Sequence, residues 1–438
     1  MISRKEKPAT EAYVWIWLPG QTAPIVAGRL FANDAEYRFV YGRSYLNNDK
    51  AIPIYLPELP LNSNEQRPLN SLVMSSSIRD ASPDAWGRRV ILNRTFGLKG
   101  DKLDGQDLDE LTFLLQSGSD RIGALDFQAS AATYRARNAK AAPLEHLIAA
   151  AERVEKNLPL SPELDQALHH GSSIGGARPK ALIEDGEQKF IAKFSSSGDT
   201  FNIVKGEYVA MRLAALCGIN VAPVKMVRSS GKDVLLVSRF DRTALDGGWL
   251  RHSMVSALTI LELDEMQARY ASYEDLAEKI RLRFSNVTNT LRELFSRLVF
   301  NILVGNIDDH ARNHAAFWDG SELALTPAYD ICPQGRTGQE ASQAMLISGQ
   351  WRSSQIAVCL DAAHHFHLDK STAIEIVGHQ LRRIGSEWRS VCSEVDMGEI
   401  ERAYFWGRQF LNPYAFYGLG GEAATLTDVA NALRDNNG

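Results

Sequence analysis

The chain has 438 residues, 45% hydrophobic and 23% charged, an ordinary globular balance with material for two or three domains of roughly 100–200 residues each. Forty-eight basic against 53 acidic side chains leave a net charge of −5, which excludes a general electrostatic pull toward nucleic acid or anionic membrane; any DNA would be reached through a partner. Four scattered cysteines with no C-x-x-C pair, no apolar leader after Met1 and no uncharged apolar stretch of about 18 residues point to a cytoplasmic protein, with no secretion signal and no membrane span expected.

Residues 12–60 read as β-rich: Tyr13–Trp17 is a short apolar run closed by Leu18, Pro19 and Gly20, and Tyr37–Tyr41 follows a polar loop. Ser82 is expected as the N-cap of a helix with Pro83 at its first position, Asp84 in its first turn and Trp86 and Val90 along it. Leu108, Leu111 and Leu115, closed by Gly118, predict a second helix over the same sheet. The Ala-, Glu- and Leu-rich stretch 135–170, interrupted by Pro143, Pro159 and Pro162, marks the passage to the rest of the chain.

From residue 171 the pattern changes. Gly171–Lys180 is a glycine-rich loop, and a hairpin follows, with Ala181–Glu184 and Lys189–Phe194 joined at Asp185-Gly186. Val204–Leu216 reads as a helix stopped by Gly218, and Val234–Val237 as a buried strand. Beyond residue 250 helices dominate: Leu291, Leu294, Phe295, Leu298, Val299 and Ile302 form the apolar stripe of a helix over 290–304, which Gly305 ends.

Asn306-Ile-Asp308-Asp309-His310-Ala-Arg312-Asn313 begins where that helix stops, and Tyr329-Asp330 follows. One carboxylate, an amide five residues on and a second carboxylate downstream are the layout of an ATP-dependent phosphotransferase, in which the protein mainly positions groups and neutralises charge. Asp308 is the candidate to accept a proton from, or orient, the attacking hydroxyl. Asn313 and Asp330 are the candidate Mg²⁺ ligands, because magnesium prefers oxygen donors and borrows others from ATP phosphates and water. A lone Asp-Asp pair is ordinarily a solvated turn; the weight here comes from a polar set enclosed by apolar Phe300–Val304 and Ala315–Trp318. His310 either approaches a phosphate oxygen or is a structural histidine.

Lys193, thirteen residues after Lys180, is placed to meet the α and β phosphates, the alternative being a strand lysine that reaches water. Glu207 on the next helix is its candidate partner or else a solvated helix-face carboxylate. Ser238, Arg239 and Phe240 end a strand and offer backbone groups to adenine. His364, His365 and His367 lack acidic or cysteine partners at metal-ligand spacing, and no Gly-x-Ser-x-Gly elbow supports a hydrolase.

Ser173–Lys180, Ile191–Phe194, Val237–Arg242, Asn306–Asn313 and Pro327–Asp330, in this order, resemble the HipA-type serine/threonine kinase toxins of bacterial toxin–antitoxin pairs. Asp80–Arg89 and Asp120–Asp126 are similar to that family's front domain, so the resemblance covers nearly the whole chain. It implies an α+β, protein-kinase-like fold of two lobes, a mixed β N-lobe and a mostly helical C-lobe, behind an N-terminal β-rich subdomain. The bounds would be 12–130 for the front domain, 131–240 for the N-lobe and 241–435 for the C-lobe. The catalytic residues would be Asp308 with His310, and the metal ligands Asn313 and Asp330. ATP contacts would fall on Gly175, Gly176, Ala177, Arg178, Pro179, Lys180, Lys193, Ser238, Arg239, Phe240, His310 and Tyr329. Autophosphorylation in the glycine-rich loop, matching Ser173 with Ser172 beside it, would silence the enzyme by placing a dianion where ATP phosphates belong. A HipB-like helix-turn-helix antitoxin, a protein substrate such as an aminoacyl-tRNA synthetase, and DNA contact only through the antitoxin are further implications. Ile307, Asp309 and Ser238 depart from the family's common residues, which bears on substrate choice and adenine contacts. Two other readings are a lipid or small-molecule kinase with the same loop, against which the absence of a basic membrane face argues, and a catalytically inactive ATP-binding co-repressor, against which Lys193, Asp308, Asn313 and Asp330 argue.

Overall fold

A computed structural model of the chain describes residues 9–96, 108–137, 142–156, 158–161, 163–164, 178–195, 199, 201–336, 338 and 340–437. The front of the molecule is an antiparallel sheet in the order β3-β2-β1-β4, with β1 Glu11–Ile16, β2 Ile25–Asn33, β3 Glu36–Tyr41 and β4 Leu125–Gln128. Alternation along β1 buries Ala12, Val14 and Ile16 together with Phe39 and Phe127. β2 carries no clean apolar run because Gly28 interrupts it. A Cβ there would stand 2.2 Å from the Val40 carbonyl oxygen and 2.6 Å from the Phe39 ring, so the close strand approach needs glycine.

The helix expected from Ser82 runs over Ala85–Phe96 instead. The Ser82 N–H is already bonded to Arg79 in the preceding turn and its hydroxyl donates to Glu110, so Asp84, whose carbonyl receives the Arg88 N–H, takes the capping position. The next helix, Glu110–Gln116, is capped by the Asp109 side chain on the Thr112 N–H, which leaves Leu108 outside it.

A second antiparallel sheet runs β5-β6-β8-β7, with β5 Lys180–Asp185, β6 Gln188–Phe194, β7 Val224–Ser229 and β8 Lys232–Ser238. Asp185 pairs with Gln188, so the turn is centred on Gly186 and Glu187, one residue beyond the expected Asp185-Gly186; Gly186 takes the φ of +60° that the turn needs. One face of the sheet, with Phe190, Ala192, Phe194 and Val234, packs on Leu147, Ala151 and Val154 of the helix Leu144–Glu155 and on Trp86 and Val90 from the front domain. β6 alternates, so Ile191 and Lys193 point to the opposite face, toward the helical lobe.

That lobe is built on the helices Tyr273–Arg283, Val287–Val304, Ile356–Ala362 and Lys370–Ser393. The stripe Leu291, Leu294, Phe295, Leu298, Val299 and Ile302 is wholly buried, and Trp388 sits in the same core. Gly305 caps the second of these helices in the left-handed region at φ +71°, turning the chain directly into the Asn306–Asn313 motif. All four cysteines are buried free thiols. Among the described residues no helix is long and apolar enough to cross a membrane.

Candidate active site

The two lobes and the front domain meet around a cavity of about 360 Å³. Lys193 enters it from β6. Its ammonium donates to Glu207 Oε1 at 2.5 Å and to Asp330 Oδ1. Glu207 is on the helix Ile203–Leu216, which lies deep because Gly206 lets Phe405 approach to where a Cβ would be only 2.6 Å from the ring. Burial opposes charge on Lys193, but Asp330 and Glu207 outweigh it and hold the ammonium well above the usual lysine range. Burial likewise opposes ionisation of Asp330, yet Lys193 and Lys180 overcome it and keep the carboxyl well below the ordinary carboxylate range. Glu207 shifts upward, because its complete burial and the neighbouring Asp330 outweigh Lys193. Lys180, opposite Lys193 across the β5–β6 pair, is also buried. Desolvation and repulsion from Lys193 bring it down to about 8.

The wall facing Lys193 is the Asn306–Asn313 loop. Asp308 is exposed to the cavity, and desolvation together with Asp330 raises its pKa against the pull of His310 and Arg178. The Asn313 side-chain nitrogen donates to the Asp308 carbonyl at 3.2 Å, which commits the amide nitrogen and leaves the side-chain oxygen as an acceptor. His310 lines the cavity with a buried Nδ1 that has no hydrogen-bond partner among the described residues. Tyr329 donates to the Arg312 carbonyl at 2.7 Å and packs its ring 5.7 Å from Phe240. Asp330 adopts a left-handed φ of +60°, a conformation that turns the chain sharply at the carboxylate.

The structure thus brings Arg178, Lys180, Lys193, Ser238, Arg239, Phe240, Asp308, His310, Asn313, Tyr329 and Asp330 to one cavity. Pro179 is buried beside it, its carbonyl accepting the Phe194 N–H. Ser173, Gly175, Gly176 and Ala177 lie outside the described residues. The stretch expected to face adenine has fewer free backbone donors than anticipated: the Ser238 N–H donates to Pro223 and the Arg239 N–H to Lys189, each at 2.8 Å. Among the described residues, only the Phe240 N–H of the three remains unbonded. The Arg239 guanidinium faces away, buried against Asp120 and Asp241. His364 and His365 stack on each other, His365 also touching Ser348, and neither lines the cavity.

Three contributions were missed. The front domain supplies wall: Asp80, Asp84, Ile122 and Gly123 line the cavity, Asp84 pairs with Arg312 at 3.1 Å, and the Asp80 carboxylate receives Ser256 and Thr259 of the C-lobe. The buried cluster of Asp120, Arg239, Asp241 and Arg242 clamps the front domain to the strand end at Ser238–Phe240, with the Gly123 N–H donating to Asp241 at 2.8 Å. Asp309, to which the motif assigns no role, points inward to Tyr273 and His314. In the sequence, Asp80–Arg89 and Asp120–Asp126 stood out through their similarity to a front domain, which carried no indication that they wall the cavity.

The family model described as "HipA N-terminal domain" matches residues 16–128, and "HipA-like C-terminal domain" matches 172–388. "Putative kinase Y4mE" of Sinorhizobium fredii is 27% identical over 317 residues, covering 67% of this chain and 71% of that protein. "Serine/threonine-protein kinase toxin HipA" of Shewanella oneidensis is 26% identical over 183 residues, covering 36% of this chain and 42% of the toxin, so the chain spans less than half of that relative. Among solved structures, the Shewanella oneidensis HipA, HipB and operator DNA complex superposes with a TM-score of 0.67 at 19% identity, over 97% of each chain, which shows a common fold. With both family models matched in order on a fold of this kind, around a cavity set with two lysines, two aspartates and an asparagine, the chain belongs to the HipA-type kinase family.

Proposed function

We propose that the protein is an ATP- and Mg²⁺-dependent serine/threonine protein kinase that inhibits growth by phosphorylating a cellular protein such as an aminoacyl-tRNA synthetase. One observation carries this reading: the Lys193 ammonium is held between Glu207 and Asp330 inside the cavity whose other wall presents Asp308 and Asn313. The residues fit the nucleotide and metal. Asp330 stays ionised, Asn313 has its amide nitrogen engaged and its oxygen available, and His310 leaves a buried nitrogen without a partner among the described residues. Bound Mg-ATP would supply the transferable phosphoryl group and the cation that neutralises its charge.

The chain's own residues do the rest. Lys193 and Lys180 offer fixed positive charge to phosphate oxygens, and Glu207 keeps Lys193 from swinging away. Asp308, more basic than an ordinary carboxylate, accepts the acceptor hydroxyl's proton or orients it. Phe240 offers its backbone N–H to the base, and its ring and that of Tyr329 form an apolar edge.

The same reading places autophosphorylation at Ser173 as the off-switch and a HipB-like helix-turn-helix antitoxin as the neutralising partner. The Shewanella structure shows that toxin together with HipB and operator DNA. A net charge of −5 suits a cytoplasmic protein that meets DNA only through such a partner. Intact mass after incubation with Mg-ATP tests the proposal on wild type, Ser173→Ala and Asp308→Ala. A phosphate on wild type that both variants lack supports reaction and switch together; no incorporation by wild type, on itself or in a lysate, sinks it.

A further inference from the structure

Asp308 has no hydrogen bond to its carboxylate among the described residues, so its place in the cavity is set by the backbone that carries it. That backbone, Asn306–His310, has no regular secondary structure. Its outer ties are modest: the Gln343 side chain donates to the Asn306 carbonyl at 3.1 Å, and the Ala344 N–H to Ile307 at 3.0 Å.

The stronger tie is the neighbouring side chain. Asp309 turns away from the cavity and is 2% exposed, with both carboxylate oxygens engaged. Oδ1 lies 3.0 Å from His314 Nε2, and Oδ2 accepts the Tyr273 hydroxyl. Tyr273 is fully buried at the start of the helix Tyr273–Arg283, and its N–H is bonded to Leu346 at 2.8 Å. His314 is 3% exposed, with its carbonyl receiving the Ala257 N–H at 2.7 Å and its ring edge-on to Tyr273 at 5.4 Å. Both donors are therefore anchored to other elements before they reach the carboxylate.

We propose that Asp309, gripped by Tyr273 and His314, is the positioning residue of the catalytic loop, the pin that sets where Asp308 stands in the cavity. The inference rests on the kinase reading above. A buried carboxylate with two donors is costly to displace, because each freed oxygen would lose its partner without reaching water. The His310 N–H closes a tight three-residue turn on the Asp308 carbonyl at 2.9 Å with Asp309 at its centre, so a shift of the Asp309 carboxylate is passed through that turn to Asp308, and a displacement of about 1 Å in a reacting group can cost about a hundredfold in rate.

Asp309→Asn keeps the shape but turns an NH₂ toward one of the two donors. The readouts are the rate of autophosphorylation at saturating Mg-ATP, ADP affinity, and hydrogen exchange of the amides of residues 306–310, for Asp309→Asn, Tyr273→Phe and the double variant. Tyr273→Phe, which removes one oxygen from a buried ring, keeps the test open if Asp309→Asn folds poorly. We expect the rate to fall at least about tenfold in Asp309→Asn and less in Tyr273→Phe, with ADP affinity within about twofold and faster exchange in the loop. In the double variant the Asp309→Asn penalty should shrink, because the opposing hydroxyl is gone. An unchanged rate, unchanged loop exchange, or losses that simply multiply would overturn the proposal. If wild type transfers no phosphate, the kinase reading fails on its own, and loop exchange still decides whether Asp309 pins the backbone.

Discussion

Replacing Glu207 by glutamine isolates the charge of the cavity from its shape. With both carboxylates ionised, Lys193, Glu207 and Asp330 together carry one net negative charge, and the substitution makes the trio neutral while keeping an acceptor for the ammonium. The two carboxylates share one ammonium, which puts them within roughly 5 Å of each other. At an effective dielectric constant near 20, a unit charge at that distance acts on a second with ~3 kcal/mol, and on a divalent ion with more before screening. A conservative half of the unit-charge figure, ~1.5 kcal/mol, is about tenfold in an equilibrium constant. On the proposed kinase reading, the Mg²⁺ concentration that half-saturates phosphate transfer should therefore rise about tenfold or more in Glu207→Gln, since an ammonium freed from Glu207 also competes for Asp330. Stability should move little, because burial already disfavours the Glu207 charge, whereas Glu207→Ala leaves the buried Lys193 ammonium with Asp330 as its remaining partner and should cost ~1–3 kcal/mol. The assay is transfer rate against Mg²⁺ at saturating ATP, with thermal melts alongside. A half-saturating Mg²⁺ within twofold of wild type would refute the electrostatic argument.

Acid should loosen the clamp between front domain and kinase lobes. Burial opposes ionisation of Asp241, but Arg239 and Arg242 hold its carboxyl down to about 2 against an ordinary 3.8, and Asp120 shifts the same way under its arginine and lysine neighbours. A depressed folded-state value means stability present above about pH 4 and lost as pH falls toward 2, on the order of 2 kcal/mol from Asp241 alone. Denaturant melts of Asp241→Asn should show a flatter pH dependence there than wild type. Gly305→Ala should cost about 2–3 kcal/mol by melting, since φ is +71° and the new Cβ would stand 2.7 Å from the Gln409 carbonyl oxygen. Trp388→Ala, which empties a fully buried site in the helical core, should cost ~3–5 kcal/mol in the same assay without altering the cavity.

What could be read from the sequence is what chemistry writes locally. The Asn306–Asn313 loop follows a helix whose apolar stripe is unmistakable, and Lys193 and Glu207 sit on a strand and helix with plain periodicity, so their meeting could be posed in advance. Ser82 misled because a good N-cap residue beside a proline says nothing of whether its N–H is already used by the turn before it. β2 was missed because glycine at position 28 is chosen for strand approach, which weakens the very signal of a strand. Arg239 looked like a backbone donor to adenine, but its N–H is taken within the N-lobe by Lys189 and its side chain by Asp120 and Asp241. Contacts such as Asp84 with Arg312, separated by 228 positions, leave no periodic trace at all.

The front domain's wall in the cavity has a consequence for how such proteins can be recombined. A domain that only tethered or recruited could be exchanged for another like a handle. This one brings the Trp86 indole N–H to the Lys180 carbonyl, the Asp80 carboxylate to the Ser256 turn and Asp120 to Arg239 and Arg242 at the end of the N-lobe strand. A chimera carrying a foreign front domain would have to import all three contacts together, and a shorter chain starting at the second sheet would begin its life with an open back to its cavity.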